Sequence, residues 1–293
     1  MATSALRFTP LGAVSAPETV QLRIAPAFAG RVPLGAPVAS RALTPAEVDA
    51  NVDHFRDPGP RHRAVRRVVL SGLPEAWLAA EVAARVAHMA EQGVERAVLH
   101  LHPAHAGRVR PGGLVLPTDV AVAVRSVGDV ARLPPGLRVT VPLTASVVGD
   151  LAAIVEALPR IEPAGVTLLW PYPSGAVEPP PGVASIVGAL TALGSALREL
   201  PWGIKGLPLC TLLPLSARLG LRERVWQSAN RFYVDADHQQ GEALLLRPDL
   251  VRLTKVDSCR FCKVERQCEG VAAEWLEAGL TGGLHPIEDE KVL

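Results

Sequence analysis

The chain has 293 residues, of which 48% are hydrophobic, and its 30 Lys and Arg residues nearly balance its 29 Asp and Glu residues. This length suits one large domain, or one domain with a small appended module, and the hydrophobic fraction argues against a mostly disordered chain. The formal net charge of +1 gives no electrostatic reason to expect a nucleic acid or an anionic membrane as a partner.

No segment has the pattern of a membrane-spanning helix or of a signal peptide. The longest apolar stretch, residues 183–200, is interrupted by Ser, Arg and Glu and is too mixed to cross a bilayer. The N-terminus lacks a charged head followed by an apolar run. We therefore expect a cytoplasmic protein, in which thiols stay reduced and clustered cysteines bind a metal more often than they form disulfides.

Strand-like and helix-like segments alternate from residue 18 to residue 215. Strands joined by helices of the observed lengths pair in parallel through right-handed crossovers. The predicted strands are residues 20–25, 67–70, 97–101, 137–143, 165–170 and 203–213; the predicted helices are residues 44–55, 75–92, 147–158 and 183–200, with a further helical run inside residues 118–133. The helix at residues 44–55 begins with a Thr cap, a Pro and an early Glu.

The number of these units predicts an α/β fold, specifically a partial (β/α)6 TIM-like barrel rather than a complete eight-unit one. A doubly wound open sheet has the same alternation and remains an alternative. The alternation stops after residue 215. We therefore predict an N-terminal tail at residues 1–17, a barrel at residues 18–205 and a C-terminal cysteine module at residues 206–293.

The four cysteines all lie in that module. Cys259 and Cys262 are separated by two residues, Cys268 follows after five more, and Cys210 is the only other cysteine. Two residues between thiols let both sulfurs face one ion or cluster, and four thiolates suit either zinc or an iron–sulfur cluster. We expect Cys210 at the end of the sixth strand. Because His285 is the only nearby His, one [4Fe–4S] cluster is favoured and zinc is the alternative.

A second candidate metal site lies at the end of the third predicted strand. Strand alternation places His100 and His102 on one face, and His105 follows in the next loop. No carboxylate lies in that loop, so we interpret the three histidines as ordinary polar residues.

Four features of the sequence belong together. They are the β/α order, the turn at residues 70–75, the strand end at residues 206–210, and the spacing Cys259-x2-Cys262-x5-Cys268-x-Gly270 running into residues 282–287. With these features the chain resembles the radical S-adenosylmethionine superfamily, specifically members with a SPASM-like auxiliary-cluster module. The resemblance implies a [4Fe–4S] cluster on the C-terminal thiolates, in a reduced version because Ala272 stands where a further cysteine is usual.

The chain departs from that superfamily where radical chemistry would occur. Family enzymes carry Cys-x3-Cys-x2-Cys after the first strand, whereas the matching loop, residues 26–37, contains no cysteine. The usual Gly-Gly-Glu-Pro turn is only partly kept, with Gly72 followed by Leu73 and Pro74. We therefore predict no catalytic residue, no S-adenosylmethionine binding and no cofactor-binding residue outside the cysteines.

These features predict a catalytically degenerate iron–sulfur protein. Its expected role is that of a partner, scaffold or substrate-presenting subunit for another protein, such as an active radical S-adenosylmethionine enzyme or a modification complex. Two alternatives stay open. One is a true enzyme that uses the auxiliary cluster for electron transfer or substrate binding, and the other is a zinc-stabilised α/β binding protein.

Overall fold

The computed structural model describes residues 6–9, 12–15, 19–25, 41–56, 65–171, 178–219, 231–234, 236, 244–245, 253–266, 268 and 270–288. The strands are β1 (Leu6–Thr9), β2 (Gly12–Ser15), β3 (Thr19–Arg23), β4 (Arg67–Ser71), β5 (Arg96–Leu101), β6 (Thr118–Ala123), β7 (Arg138–Pro142), β8 (Gly165–Leu169), β9 (Trp202–Lys205), β10 (Arg231–Val234), β11 (Leu244–Leu245), β12 (Leu253–Thr254) and β13 (Val271–Ala272). The helices are α1 (Pro45–Arg56), α2 (Glu81–Glu91), α3 (Val127–Val130), α4 (Ala145–Ala157), α5 (Val183–Leu193), α6 (Ser195–Arg198), α7 (Leu209–Leu219) and α8 (Ala273–Glu277).

The chain forms two compact units, of which the first comprises residues 1–32, 36–122 and 228–249. Its sheet has the order β11-β10-β3-β4-β5-β6, with parallel pairing except between β10 and β11. All five residues of β3 are buried, as expected for a strand inside a parallel sheet. β1 and β2 form a separate antiparallel hairpin.

Helix α1 begins as its sequence predicts. The Thr44 hydroxyl accepts the amide of Glu47 at 3.2 Å, and the Glu47 carboxylate accepts the amide of Thr44 at 2.8 Å. This reciprocal pair is a capping box, which satisfies amides that have no acceptor inside the helix. The predicted Thr cap is therefore confirmed.

The second unit comprises residues 33–35, 123–227 and 250–293. Its strands β7, β8 and β9 pair in parallel, while β12 and β13 form a short antiparallel pair. The C-terminal segment packs on this unit through the start of α5 and the end of β8. The Val183 amide donates to the Leu280 carbonyl at 2.8 Å, and the Trp275 indole donates to the Pro171 carbonyl at 2.8 Å.

The predicted α/β class with a parallel sheet is confirmed, and the described strands of neither unit close into a barrel. The helical run predicted inside residues 118–133 is present as the short helix α3. Strand β6 precedes it and was not predicted; its sequence TDVAVA alternates half-buried and buried residues as a strand does. The predicted bounds of the sixth strand, residues 203–213, are wrong: the strand stops at Lys205, and helix α7 begins at Leu209.

The pattern after residue 215 also differs from expectation. Residues 231–234 form β10, which pairs in parallel with β3 across a large sequence separation. This strand was not predicted, because it lies beyond residue 215, where the alternation of strand-like and helix-like segments stops. Among the described helices, none has the length and hydrophobicity needed to cross a bilayer.

Candidate metal centre

The four cysteines meet at one cavity in the second unit. Cys210 is the second residue of α7. Cys259 lies in the 3-10 turn Asp257–Phe261, and Cys262 ends that turn. These three residues and Cys268 are all half-buried and line the same cavity. Thiols from three chain segments are therefore brought together.

The 3-10 turn explains the placement of the paired thiols. The Cys262 amide donates to the Cys259 carbonyl at 2.9 Å, which fixes the turn between them. The Cys268 amide donates to the Val264 carbonyl at 2.9 Å, which folds the next segment back. A small cluster of buried apolar residues lies against the cysteines. The cluster consists of Leu209, Leu213, Val264 and Ile287, and the residues that pack against it are Cys210, Leu212, Cys262 and Cys268.

Three backbone amides point at the sulfurs. The Leu209 and Gly270 amides each donate to Cys268 Sγ at 3.4 Å, and the Ile287 amide donates to Cys262 Sγ at 3.3 Å. Hydrogen bonds of this kind stabilise a thiolate more than a neutral thiol. The backbone around the cavity is therefore suited to negatively charged sulfur.

The electrostatics of Cys210 reflect the crowding of thiols. Burial, followed by the nearby Cys268 and, more weakly, Cys262 and Cys259, raises the pKa of Cys210 to about 11, and a hydrogen bond with Thr211 opposes this rise. A thiol with this pKa is neutral at pH 7 when no cation is present. A bound metal reverses that balance, because a coordinating thiol loses its proton.

One wall of the cavity is held by an ion pair. Lys255 Nζ lies 3.0 Å from Glu265 Oε1 and 2.5 Å from the Glu265 carbonyl oxygen. Lys255 follows β12, and Glu265 lies between Cys262 and Cys268. The pair thus ties the cysteine turn to the β12–β13 strands. His285 also lines the cavity.

The predicted ligand residues therefore share one cavity, although their role as ligands stays a prediction. Within the described part of the chain, no three His, Cys, Asp or Glu side chains are placed to hold a metal ion. The position of Cys210 was predicted wrongly, since it lies in a helix and not at a strand end. Gly206, at a φ of +96°, turns the chain before that helix begins.

Within the described residues of the first unit, His100, His102 and His105 do not form a group of three side chains that could hold a metal ion. The rings of His102 and His105 lie 5.5 Å apart, centroid to centroid. His102 Nδ1 accepts the Ala104 amide at 3.0 Å and so caps a 3-10 turn. This geometry supports the interpretation of His102 as a structural polar residue. The cysteine-free loop at residues 26–37 lies outside the described residues.

The amides of Leu209, Gly270 and Ile287 are groups that sequence reasoning missed. The sequence offered one signal, because Gly270 follows Cys268 closely and a glycine there permits an unusual backbone. The other two amides could not be predicted from sequence spacing, since Leu209 is 59 residues from Cys268 along the chain and Ile287 is 25 residues from Cys262.

Comparison with known proteins adds little. No protein-family model matches the chain, and no curated protein sequence matches it significantly. One similar solved structure is a variant of pyruvate carboxylase from Rhizobium etli, determined with the allosteric activator acetyl coenzyme A. It shares 12% identity at a TM-score of 0.32, over 71% of this chain and 23% of that one. This chain thus spans about a quarter of that protein, and so weak a likeness supports no inference.

Proposed function

We propose that this chain binds one [4Fe–4S] cluster through Cys210, Cys259, Cys262 and Cys268. We further propose that it acts without catalysis of its own, as the partner, scaffold or substrate-presenting subunit of an active radical S-adenosylmethionine enzyme. The observation that carries the first part is the convergence of four thiols, from three separate segments, on one cavity. The resemblance of the sequence to the superfamily carries the second.

The arrangement of the cysteines in the sequence favours a cluster over a single zinc ion. A zinc module commonly has two closely spaced pairs of ligands, or one pair and a His. This chain instead has the local triplet Cys259, Cys262 and Cys268 with one distant cysteine, Cys210, and His285 is the only nearby His. Iron–sulfur sites more readily combine a local triplet with one distant cysteine.

The chain's own residues would hold the cluster and limit its exposure to water. When bound, such a cluster supplies metal–thiolate bonds and a one-electron redox centre. The buried Leu209, Leu213, Val264 and Ile287 close one side of the site. Bonds from all four cysteines would join α7 to the C-terminal segment, so binding energy would contribute to folding of this unit.

The partner role rests on what the sequence lacks. Residues 26–37 contain no cysteine, so the thiolates that would hold a cluster for S-adenosylmethionine are missing. As part of this proposal, the parallel strands descend from a partial (β/α)6 barrel of that superfamily. A chain with this history would retain the surfaces of an enzyme without its reaction.

The metal content tests the first part of the proposal. The full chain is purified anaerobically, and iron, sulfide and zinc are measured per chain. We expect about four irons and four sulfides in a brown protein, and loss of most iron in each Cys→Ser variant. Ser258→Ala, at another residue lining the cavity, is the matched control and should keep its iron. One zinc and no iron would overturn the cluster proposal.

A reconstitution experiment tests the partner role. The purified chain is mixed with the radical S-adenosylmethionine enzyme encoded nearest to its gene, and co-elution and substrate turnover are measured. We expect a stable complex and turnover that requires this chain. Cleavage of S-adenosylmethionine by this chain alone would contradict the proposal and favour the true-enzyme alternative.

A further inference from the structure

We infer that the backbone amides of Leu209, Gly270 and Ile287 raise the reduction potential of the cluster bound at this site. The inference rests on the proposed function, because it concerns the same four thiolates. Its basis is the three N–H···S hydrogen bonds, of 3.3–3.4 Å, to Cys262 and Cys268. These amides are positioning groups, since none of them contacts a reacting molecule.

The Leu209 amide is free to donate to a sulfur because it belongs to the first residue of helix α7. The first amides of a helix have no acceptor within it. The Pro208 carbonyl accepts the amides of Thr211 and Leu212 at 3.0 and 3.1 Å, which starts the helix, and leaves the Leu209 amide to donate to Cys268 Sγ. The positive end of the α7 dipole therefore faces the sulfur as well.

The Gly270 amide is fixed by a backbone that only glycine fits. Gly270 has a φ of +87°, and a Cβ built there would lie 2.0 Å from the Thr254 carbonyl oxygen. The β12–β13 pair, in which Thr254 lies opposite Val271, creates this close approach. The same constraint aims the Gly270 amide at Cys268 Sγ.

The Ile287 amide belongs to a two-way link with the cysteine turn. Ile287 donates to Cys262 Sγ at 3.3 Å, and its carbonyl accepts the Lys263 amide at 2.9 Å. Because Ile287 is 5% exposed, water competes weakly for these bonds. Cys262 is thereby held with a donor on its sulfur.

The direction of the effect follows from charge. If a [4Fe–4S]2+ cluster bound here accepted one electron from dithionite, the reductant of the titration, it would become [4Fe–4S]1+, and the added negative charge would spread onto the thiolates. Amide donors stabilise the more negative state more strongly, so they favour reduction. Removing one donor should therefore make the cluster harder to reduce.

Two substitutions at Leu209 isolate one amide. Leu209→Pro removes the N–H at the first helical position, where proline is well tolerated. Leu209→Ala removes more of the apolar side chain than Leu209→Pro does but keeps the N–H, so it controls for the loss of apolar contact. The midpoint potential of each holoprotein is measured by an EPR-monitored redox titration. We expect Leu209→Pro to have a roughly tenfold smaller equilibrium constant for reduction than Leu209→Ala.

Equal potentials in Leu209→Pro and Leu209→Ala, at full iron content, would overturn the inference and leave the proposed function intact. Absence of iron from the unsubstituted chain would instead refute the proposed function itself.

If Leu209→Pro does not bind a cluster, a second experiment on the unsubstituted protein tests the inference. Apoprotein is unfolded and reconstituted in D2O or in H2O, and ENDOR spectra of the reduced cluster are compared. Exchangeable protons coupled to the cluster support the inference, and their absence overturns it.

Discussion

Individual residues around the cavity have separable roles in stability. Cys262 Sγ accepts a hydrogen bond from the Ile287 amide, and Cys262 packs against the buried apolar cluster beside the cavity. Its contribution therefore includes ordinary packing as well as any metal bond. Only the metal bond disappears when a chelator removes the metal, so the two contributions can be measured apart.

Cys262→Ser should lower cluster content and the free energy of unfolding together. The loss in the iron-loaded protein should exceed the loss in the chelated protein, where we expect a change of about 1 kcal/mol from packing alone. Denaturant unfolding of both variants with and without chelator measures this. An unchanged melting temperature despite lost iron would contradict a structural role for the cluster.

Gly206, like Gly270, has a backbone conformation that favours glycine over other residues. It has a φ of +96°, and a Cβ there would lie 2.3 Å from the Trp170 carbonyl oxygen. Gly206 directly follows β9 and lies two positions before Pro208, so it sets the path of the chain into α7.

Gly206→Ala should destabilise the protein by about 1–3 kcal/mol or more, through strain and the clash with Trp170. Gly149→Ala is the control, because Gly149 lies in α4 and has open space around it. That change should stabilise the helix by roughly 0.5–1 kcal/mol. Thermal unfolding compares them, and similar effects of the two substitutions would refute the strain argument.

Among the elements, α4 carries a cap supplied from a distant loop. Glu178 accepts the Ser146 amide at 2.8 Å and the Ser146 hydroxyl at 2.7 Å. The Ser146 side chain, and next its amide, lower the pKa of Glu178 below 4.5. A carboxylate at this helix N-terminus also interacts favourably with the dipole.

The lowered pKa makes this contribution depend on pH. Stability from the cap is fully present above pH 4.5 and is lost as the pH falls through the lowered pKa of Glu178. Glu178→Gln should therefore reduce stability near neutral pH and shrink the decline between pH 4.5 and lower values. Glu156→Gln, an exposed position on the same helix, is the control. Parallel pH dependence for Glu178→Gln and the unsubstituted protein would exclude the cap as its source.

At the scale of the whole molecule, the four cysteines belong to one of the two compact units. Any metal bond they form therefore links elements of that unit alone. The β3–β6 strands of the first unit contain no cysteine.

Removal of the metal should loosen the second unit selectively. Amide hydrogen exchange in the chelated protein should accelerate in α7 and in residues 253–288, while β3, β4 and β5 keep their protection. Mass spectrometry of peptides from both units measures the difference. A uniform acceleration across both units would show instead that they unfold cooperatively.

Local patterns allowed much of the element order to be predicted. The capping box of α1 and the strands β4, β5, β7 and β8 lie within a few residues of their predicted bounds. Each of these features depends on neighbouring residues, which the sequence displays directly. The strand β6 was missed because its alternation was interpreted as part of a helical run.

The sequence by itself determined the α/β class, the α1 cap and the identity of the four candidate ligands. The tertiary structure alone decided that Cys210 lies at the start of a helix, that the four thiols share one cavity, and that three amides face their sulfurs. The physical reason is the sequence separation over which each interaction acts. Periodicity and caps arise within a few residues, whereas the contact between Leu209 and Cys268 depends on how separate segments pack.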